Sequence, residues 1–136
     1  MNDMNALLPN IDDLTRPFWD TAQQRRLVMQ RCADCEAWVW HPQPWCRACY
    51  GQRLVWQPLA GTGELFTYSV VHYAPLPVYA DKVPYVLATV RLAEGPQMMT
   101  NLVDCDWREV RIGMPVRLCW EARGDGFLVP QFTPGS

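Results

Sequence analysis

The sequence predicts a mainly β protein made of an N-terminal helix, a small four-cysteine ribbon and a five- to six-stranded closed barrel. Three observations lead to this prediction. An amphipathic segment with helical spacing comes first, two pairs of cysteines follow it, and apolar residues then alternate with polar ones to the end of the chain. We therefore expect a helical segment over 1–30, the ribbon over 31–56 and the barrel over 57–136.

The helix is expected to run from Thr15 to Met29 as one helix or two short ones. Thr15 suits the N-cap position, and Pro17 suits the first helical turn because its ring fixes φ and its missing N–H is not needed there. Phe18, Ala22 and Met29 then recur at helical spacing.

The two cysteine pairs predict a metal site. Cys32 and Cys35 are separated by two residues, as are Cys46 and Cys49, and ten residues lie between the pairs. Two such turns can supply a tetrahedral shell of four thiolates, which zinc prefers. The alternatives are ordinary buried cysteines or two disulfides, but paired spacing without a signal peptide favours the metal.

Cysteine spacing alone does not distinguish zinc from iron, because the iron of rubredoxin is also bound by four cysteine thiolates. More than half of the chain lies beyond Cys49, unlike in a rubredoxin, so we expect zinc in a structural role. Glu36 and Tyr50 stand where many ribbon turns have glycine, and Gly51 comes one residue late. The absence of glycine at these two positions makes the expected turn geometry less favourable, but it does not change the four predicted ligands.

Alternating residues and turn signals predict the barrel strands. The expected strands cover 64–73, 85–92, 97–103, briefly 108–111, 116–121 and 127–132. Short antiparallel strands in this order suit a small closed barrel, and an OB-fold is the leading candidate.

Composition and charge narrow the class of protein. The chain of 136 residues is 49% hydrophobic and 19% charged, as in a globular protein, and its net charge of −2 includes only one lysine, Lys82. No apolar run approaches the ~20 residues that span a bilayer, and the N-terminus lacks a secretion signal, so we expect a reducing cytoplasm. Cys105 and Cys119 are expected to be buried or free thiols.

No pattern in the chain predicts catalysis. The two histidines, His41 and His72, have no nucleophile motif near them, and the carboxylates fall at a helix start or in turns. We therefore predict no catalytic residue and no turnover by the chain alone.

These motifs in this order resemble a known family over roughly residues 16 to 134. The resemblance rests on Phe18-Trp19, the two cysteine pairs, Gly61-Thr62-Gly63-Glu64-Leu65, Pro84-Tyr85-Val86, Ile112-Gly113-Met114-Pro115-Val116 and Phe132-Thr133-Pro134. The chain is similar to the rubredoxin-like zinc-ribbon plus acyl-CoA-associated OB-fold family, whose members are small partners of acyl-CoA enzymes. The resemblance implies an accessory, non-catalytic subunit that docks a thiolase-superfamily enzyme and helps to enclose or orient an acyl substrate. The partner would be an acetyltransferase, a phloroglucinol-type acyltransferase or a steroid-type aldolase.

Seven tryptophans are more than one small barrel core can hide. The expected partner-binding residues are aromatic side chains of the helix and ribbon: Phe18, Trp19, Trp38, Trp40 and Trp45. The alternative is that these aromatic side chains pack on one another and cover one face of the ribbon. Pro75, Pro77 and Tyr79, in a stiff apolar loop between two strands, are expected to border the partner's substrate channel.

Two other classes of function compete with this interpretation. OB-folds also bind single-stranded nucleic acid on aromatic side chains, but the arginines of the strands are scattered among acids and form no continuous basic stripe. The other class is an iron electron carrier, which would be red and would bleach on reduction.

Overall fold

The structure, a computed structural model, describes residues 8–77 and 80–135. The fold is mainly β with one α-helix, as predicted. Its elements are α1 (Arg16–Ala22), β1 (Val28–Cys32), β2 (Trp38–Val39), β3 (Leu54–Pro58), β4 (Thr62–Val71), β5 (Tyr85–Leu92), β6 (Gln97–Leu102), β7 (Pro115–Arg123) and β8 (Phe127–Pro134).

The helix is shorter than the sequence predicts. α1 ends at Ala22, and the chain then turns through Arg25, whose φ of 61° lies in the left-handed region that ends a helix. Met29, expected in the helix, instead lies fully buried in β1. The expectation of helix to Met29 is wrong because β1 pairs with a strand on each side, and these ladder bonds outweigh its helical spacing. Thr15 is at the N-cap, but its side chain bonds to Asp12 and not to the helix.

The cysteine ribbon is a three-stranded antiparallel sheet in the order β2-β1-β3. β1 is central, with Arg31 opposite Trp38 on β2 and Val55 on β3. The guanidinium of Arg31 lies 4.9 Å from the ring centre of Trp38, a cation–π contact between β1 and β2.

The second sheet closes into a barrel of five strands in the order β4-β5-β6-β8-β7. This arrangement confirms the predicted OB-fold. A bulge between Leu65 and Thr67 shifts the register of β4 on β5, so that Phe66 and Thr67 are both exposed after the buried Leu65. The brief strand expected at 108–111 is wrong: Trp107–Glu109 form a 3-10 helix, because the Asp106 side chain accepts a hydrogen bond from the Arg108 N–H and caps it.

One main core holds the three parts together. The barrel contributes side chains such as Leu65, Val90 and Phe132, the ribbon contributes Met29, and the helix contributes Phe18. A much smaller cluster in the ribbon consists of Cys32, Cys46 and Val39. No helix in the described parts of the chain is long and apolar enough to cross a bilayer.

Candidate metal centre and aromatic cleft

The two cysteine turns repeat one hydrogen-bond pattern. In the first turn the Cys32 N–H donates to the Ala37 carbonyl over 2.9 Å, and the Glu36 N–H donates to the Cys32 carbonyl over 2.9 Å. The second turn repeats both bonds around Cys46, each at 2.8 Å. Each turn therefore holds its pair of sulfurs on the same side of the loop.

The residues that follow the cysteine pairs adopt the conformation that glycine usually supplies. Glu36 has a φ of 66° and Tyr50 a φ of 62°, both in the left-handed region. Such a conformation costs a non-glycine residue on the order of 1 kcal/mol. The missing glycines thus leave the turn geometry intact, and the Gly51 N–H still lies 3.4 Å from the Cys49 sulfur.

The four sulfur atoms form one cluster. The Sγ atoms of Cys32 and Cys49 are 3.6 Å apart, as are those of Cys35 and Cys46, and all four lie within 4.8 Å of one another. Four sulfurs around zinc at about 2.3 Å would be about 3.8 Å apart. The cluster therefore fits a tetrahedral Zn²⁺, and among the described residues it is the one group of three or more metal-ligating side chains.

The electrostatics of the four-sulfur cluster also favours a bound cation. N–H groups at Cys49 and Ala48 help to lower the pKa of Cys46 to about 7. The Gly51 N–H lowers the pKa of Cys49, but its three sulfur neighbours outweigh this effect and raise that pKa to about 12. The sulfurs cannot all be thiolates without a positive ion between them, and a divalent metal supplies that charge.

An ion pair closes the outside of the metal turns. The Arg53 Nε donates to the Asp34 carboxylate over 2.9 Å, and the Ala33 N–H donates to the Arg53 carbonyl over 2.8 Å. The Arg53 hydrogen bond lowers the pKa of Asp34, so the carboxylate stays charged. A Cβ at Gly51 would lie 2.8 Å from Asp34 Oδ2, so a larger residue does not fit there without displacing this side chain.

The helix and the ribbon share an aromatic cluster. Phe18 contacts Trp19 edge to face at 4.8 Å and Trp40 at 5.0 Å between ring centres. Trp19 also contacts Phe127 at the start of β8, and Trp40 stacks on His41. Phe18 is only 4% exposed, so its surface is used almost entirely within the fold.

The other two aromatic residues expected to bind a partner lie apart from this cluster. Trp38 is half-buried beside Arg31, and Trp45 is 44% exposed beyond the strands of the ribbon. The structure therefore brings together three of the five residues, Phe18, Trp19 and Trp40, and partner binding by the set stays a prediction.

A cleft of about 540 Å³ opens beside the aromatic cluster. One wall is formed by Phe18, Trp19, Trp40 and His41, and the other by residues of β6 and β8. Gln131, 3% exposed, also lines the cleft, and it was not identified from the sequence. A glutamine inside the apolar run of β8 was the signal that could have identified it, since buried amides need hydrogen-bond partners.

The proline loop lies at the other end of the barrel. Pro75 and Pro77 are exposed, while Tyr79 lies outside the described residues. The loop leads into the start of β5, whereas the turn after β5 lines a pocket with Trp38 and Trp40. Eight residues of strand, roughly 25 Å, therefore separate the expected channel residues from the ribbon tryptophans.

The histidines have packing contacts. His41 stacks on Trp40 with 4.9 Å between ring centres, and His72 meets Trp107 edge to face at 5.2 Å. In the described residues neither histidine makes a hydrogen bond or ion pair with a nucleophile or carboxylate.

Two family models match this chain in succession. "ChsH2, rubredoxin-like zinc ribbon domain" matches residues 19–55, and "ChsH2, C-terminal OB-fold domain" matches residues 56–121. A "DUF35 domain-containing scaffold protein" of Methanocaldococcus jannaschii is 35% identical over 107 residues, which are 77% of this chain and 75% of that protein.

Larger proteins and a solved complex also match. A "Probable enoyl-CoA hydratase alpha subunit" of Thermomonospora curvata is 41% identical over 118 residues, which are 86% of this chain but 36% of that protein. The chain thus spans about a third of the length of this relative. One chain of the solved "Ltp2-ChsH2(DUF35) aldolase" is 38% identical, with a TM-score of 0.84 over 93% of this chain and 98% of that one.

Proposed function

This chain belongs to the DUF35 family of zinc-ribbon and OB-fold proteins, and we propose that it is the accessory, non-catalytic subunit of an acyl-CoA enzyme complex. The observation that carries the proposal is the match to 98% of a chain in the "Ltp2-ChsH2(DUF35) aldolase". The relatives also include a scaffold protein and a probable enoyl-CoA hydratase subunit.

The partner in this proposal is a thiolase-like enzyme. It supplies the nucleophile and base of the reaction, because the described part of this chain lacks both near its histidines. The present chain contributes by holding the partner and the substrate in position and by excluding water from the reacting groups.

Zn²⁺ in the cysteine cluster has a structural role in this proposal. Cys32 at the end of β1 and Cys46 in the loop between β2 and β3 are buried, and four thiolates leave no open coordination position for a substrate. The metal therefore stiffens the ribbon, which carries three of the five aromatic residues expected at the partner interface.

Docking is assigned to the exposed aromatic surface of the helix and ribbon. Trp45 and Tyr50 are 44% and 77% exposed, and half-buried Trp19 borders the cleft. Large aromatic side chains of this kind are the usual anchors of protein interfaces. The proline loop would border the substrate channel at the opposite end of β5, where Tyr73 and Leu76 are also exposed.

The charges argue against the nucleic-acid alternative. Five ion pairs among the described residues each join an arginine to a carboxylate. Three of them lie on the barrel domain: Arg91 with Glu64, Arg108 with Asp106 and Arg123 with Glu121. Binding along a phosphate backbone needs unpaired positive charge in a continuous groove.

Co-purification tests the proposal. The tagged, zinc-loaded chain should retain a thiolase-like enzyme from its source organism, and acyl-CoA turnover should require both proteins. Trp19→Ala combined with Trp45→Ala should weaken the complex about 30-fold or more, as expected for interface anchors worth ~2 kcal/mol or more. Ile112→Ala, which truncates a side chain that is 67% exposed on a distant turn, is the matched control. Turnover of acyl-CoA by the isolated chain at enzymatic rates would refute the proposal.

A further inference from the structure

The loop of residues 40–45, here called the aromatic loop, joins β2 to the second cysteine turn. Trp40 at its start is half-buried in the aromatic cluster, whereas Trp45 at its end is 44% exposed. Pro42 and Pro44 have no N–H, and among the described residues no hydrogen bond between main-chain groups is found in the loop beyond Trp40. Main-chain pairing therefore does not fix the position of Trp45.

Gln30, on the central strand of the ribbon, holds the middle of the aromatic loop. Its Nε2 donates to the Gln43 carbonyl over 3.0 Å, and its Oε1 accepts from the Gln43 N–H over 2.8 Å. One side-chain amide thus bonds both main-chain groups of a single residue. Because Gln43 lies two residues before Trp45, these two bonds fix the main chain that leads to the exposed tryptophan.

The burial of Gln30 indicates that its amide serves the loop. Gln30 is 5% exposed, on a strand whose other buried side chains are apolar or cysteine. Burying an amide costs free energy unless both of its polar atoms are hydrogen-bonded, and an apolar side chain would fill the same space without that cost. The two bonds to Gln43 meet this requirement, so the amide is explained by the loop that it holds.

A second side chain holds the start of the aromatic loop. Arg47 Nη2 donates to the Trp40 carbonyl over 2.7 Å. The indole N–H of Trp40 is buried and has no hydrogen-bond partner within residues 8–77 and 80–135, which costs free energy at this end of the loop. Gln30 and Arg47 therefore hold a conformation that Trp40 alone would not favour.

We propose that Gln30 is a positioning residue for partner binding, because it fixes the aromatic loop and Trp45 in place before the partner is bound. The inference rests on the proposed function, in which Trp45 is an anchor of the interface. A loop that is already ordered loses less conformational freedom on association, so the complex is tighter. Gln30 is too buried to contact the partner, and its effect passes through the loop.

A double-mutant cycle with the zinc-loaded protein and its co-purified partner enzyme tests the inference. Gln30→Met keeps the length of the side chain, removes both hydrogen bonds and should weaken the complex by about tenfold. In the Trp45→Ala background the same change should weaken the complex by less than about twofold, because no anchor remains for Gln30 to position. An equal loss in both backgrounds would overturn the inference, since Gln30 would then act through another part of the molecule.

Gln131→Met is the matched control. Gln131 is 3% exposed and accepts from the Asn101 N–H, so it is also a buried amide bonded to the main chain, but it lies in the barrel. The control should lose stability, as Gln30→Met does, and should bind the partner within about twofold of the wild type. Equal weakening of the complex by both variants would show that lost stability is the cause, and would overturn the inference.

The single variants distinguish failure of the inference from failure of the proposed function. A complex that is weakened by Trp45→Ala but not by Gln30→Met would overturn the inference and leave the proposed function standing. A complex that Trp45→Ala does not weaken would overturn the inference and place docking elsewhere. Failure to form any complex with an acyl-CoA enzyme would refute both.

Hydrogen exchange of the free wild-type protein decides if Gln30→Met does not fold or does not keep its zinc. The Gln43 amide should exchange at least about tenfold more slowly than in an unstructured peptide, because Gln30 already accepts its hydrogen bond. Exchange of this amide at the rate of an unstructured peptide would overturn the inference, since the loop would then not be held before the partner is bound.

Discussion

Replacing Cys46 with serine removes one of two fully buried ligands of the metal centre. Cys46 has no exposed surface, and apart from the cysteines the ribbon cluster buries only Val39. Burial of one valine contributes about 1.5–3 kcal/mol. Binding of structural zinc contributes on the order of 10 kcal/mol, so the metal dominates the stability of the turns.

The loss of order caused by Cys46→Ser is expected to be confined to the cysteine turns. Met29 and Leu27 of the ribbon are packed in the main core with the barrel, whereas the cysteine turns are packed only in the small cluster. Cys46→Ser should therefore lose its zinc and the order of residues 33–53, while the barrel remains folded. Metal analysis after dialysis should give less than about one tenth of an ion per chain. Amide spectra should show that signals of the turns are lost and signals of β4 to β8 are kept.

Cys105→Ser and Cys119→Ser are the matched controls, because neither residue belongs to the sulfur cluster. Both should keep one zinc per chain. A Cys46→Ser protein that retained stoichiometric zinc and an ordered ribbon would refute the four-thiolate centre. A red protein that bleached on reduction would contradict zinc itself.

Three further changes should have distinct effects. Arg53→Gln should make the ribbon less tolerant of acid, because the Arg53 hydrogen bond lowers the pKa of Asp34 below 3.8. The ion pair therefore stabilises the wild-type ribbon above that pH, and this stabilisation is lost as pH falls through the folded-state pKa. An acid titration of zinc release from the wild type and the variant measures the difference. Gln131→Leu should lower the free energy of unfolding by about 1–3 kcal/mol, measured in denaturant, because the Asn101 N–H loses its acceptor. Phe18→Ala should cost about 3–5 kcal/mol of stability in the same assay, since Phe18 is a buried core residue; a loss below about 1 kcal/mol would contradict its place in the core.

The parts of the fold with strong local signals could be predicted from the sequence. Cysteine spacing predicted the metal cluster, because two residues between sulfurs are enough to define each turn. Alternation predicted β5 over its whole length, since the strand buries one face along Tyr85–Leu92.

The parts that depend on distant contacts could not be predicted. Met29 is spaced as if on a helix, and only pairing with β2 and β3 makes its segment a strand. Phe18 is apolar and aromatic whether it faces a partner or the core, and the contact with Trp40 that buries it joins two elements distant in the sequence. β6 and β8 pair only at Leu102 and Phe132, and because this pairing arises from tertiary closure of the barrel, no local sequence pattern predicts it.

Reconstitution of acyl-CoA turnover tests the central claim most directly. The zinc-loaded chain and its co-purified enzyme would be separated, assayed apart, and then mixed at increasing ratios. We expect no turnover by this chain, impaired turnover by the enzyme alone, and recovery that saturates at a fixed ratio of the two proteins. An enzyme that is fully active without the chain, or a chain that turns over acyl-CoA alone, would contradict the role of an accessory subunit.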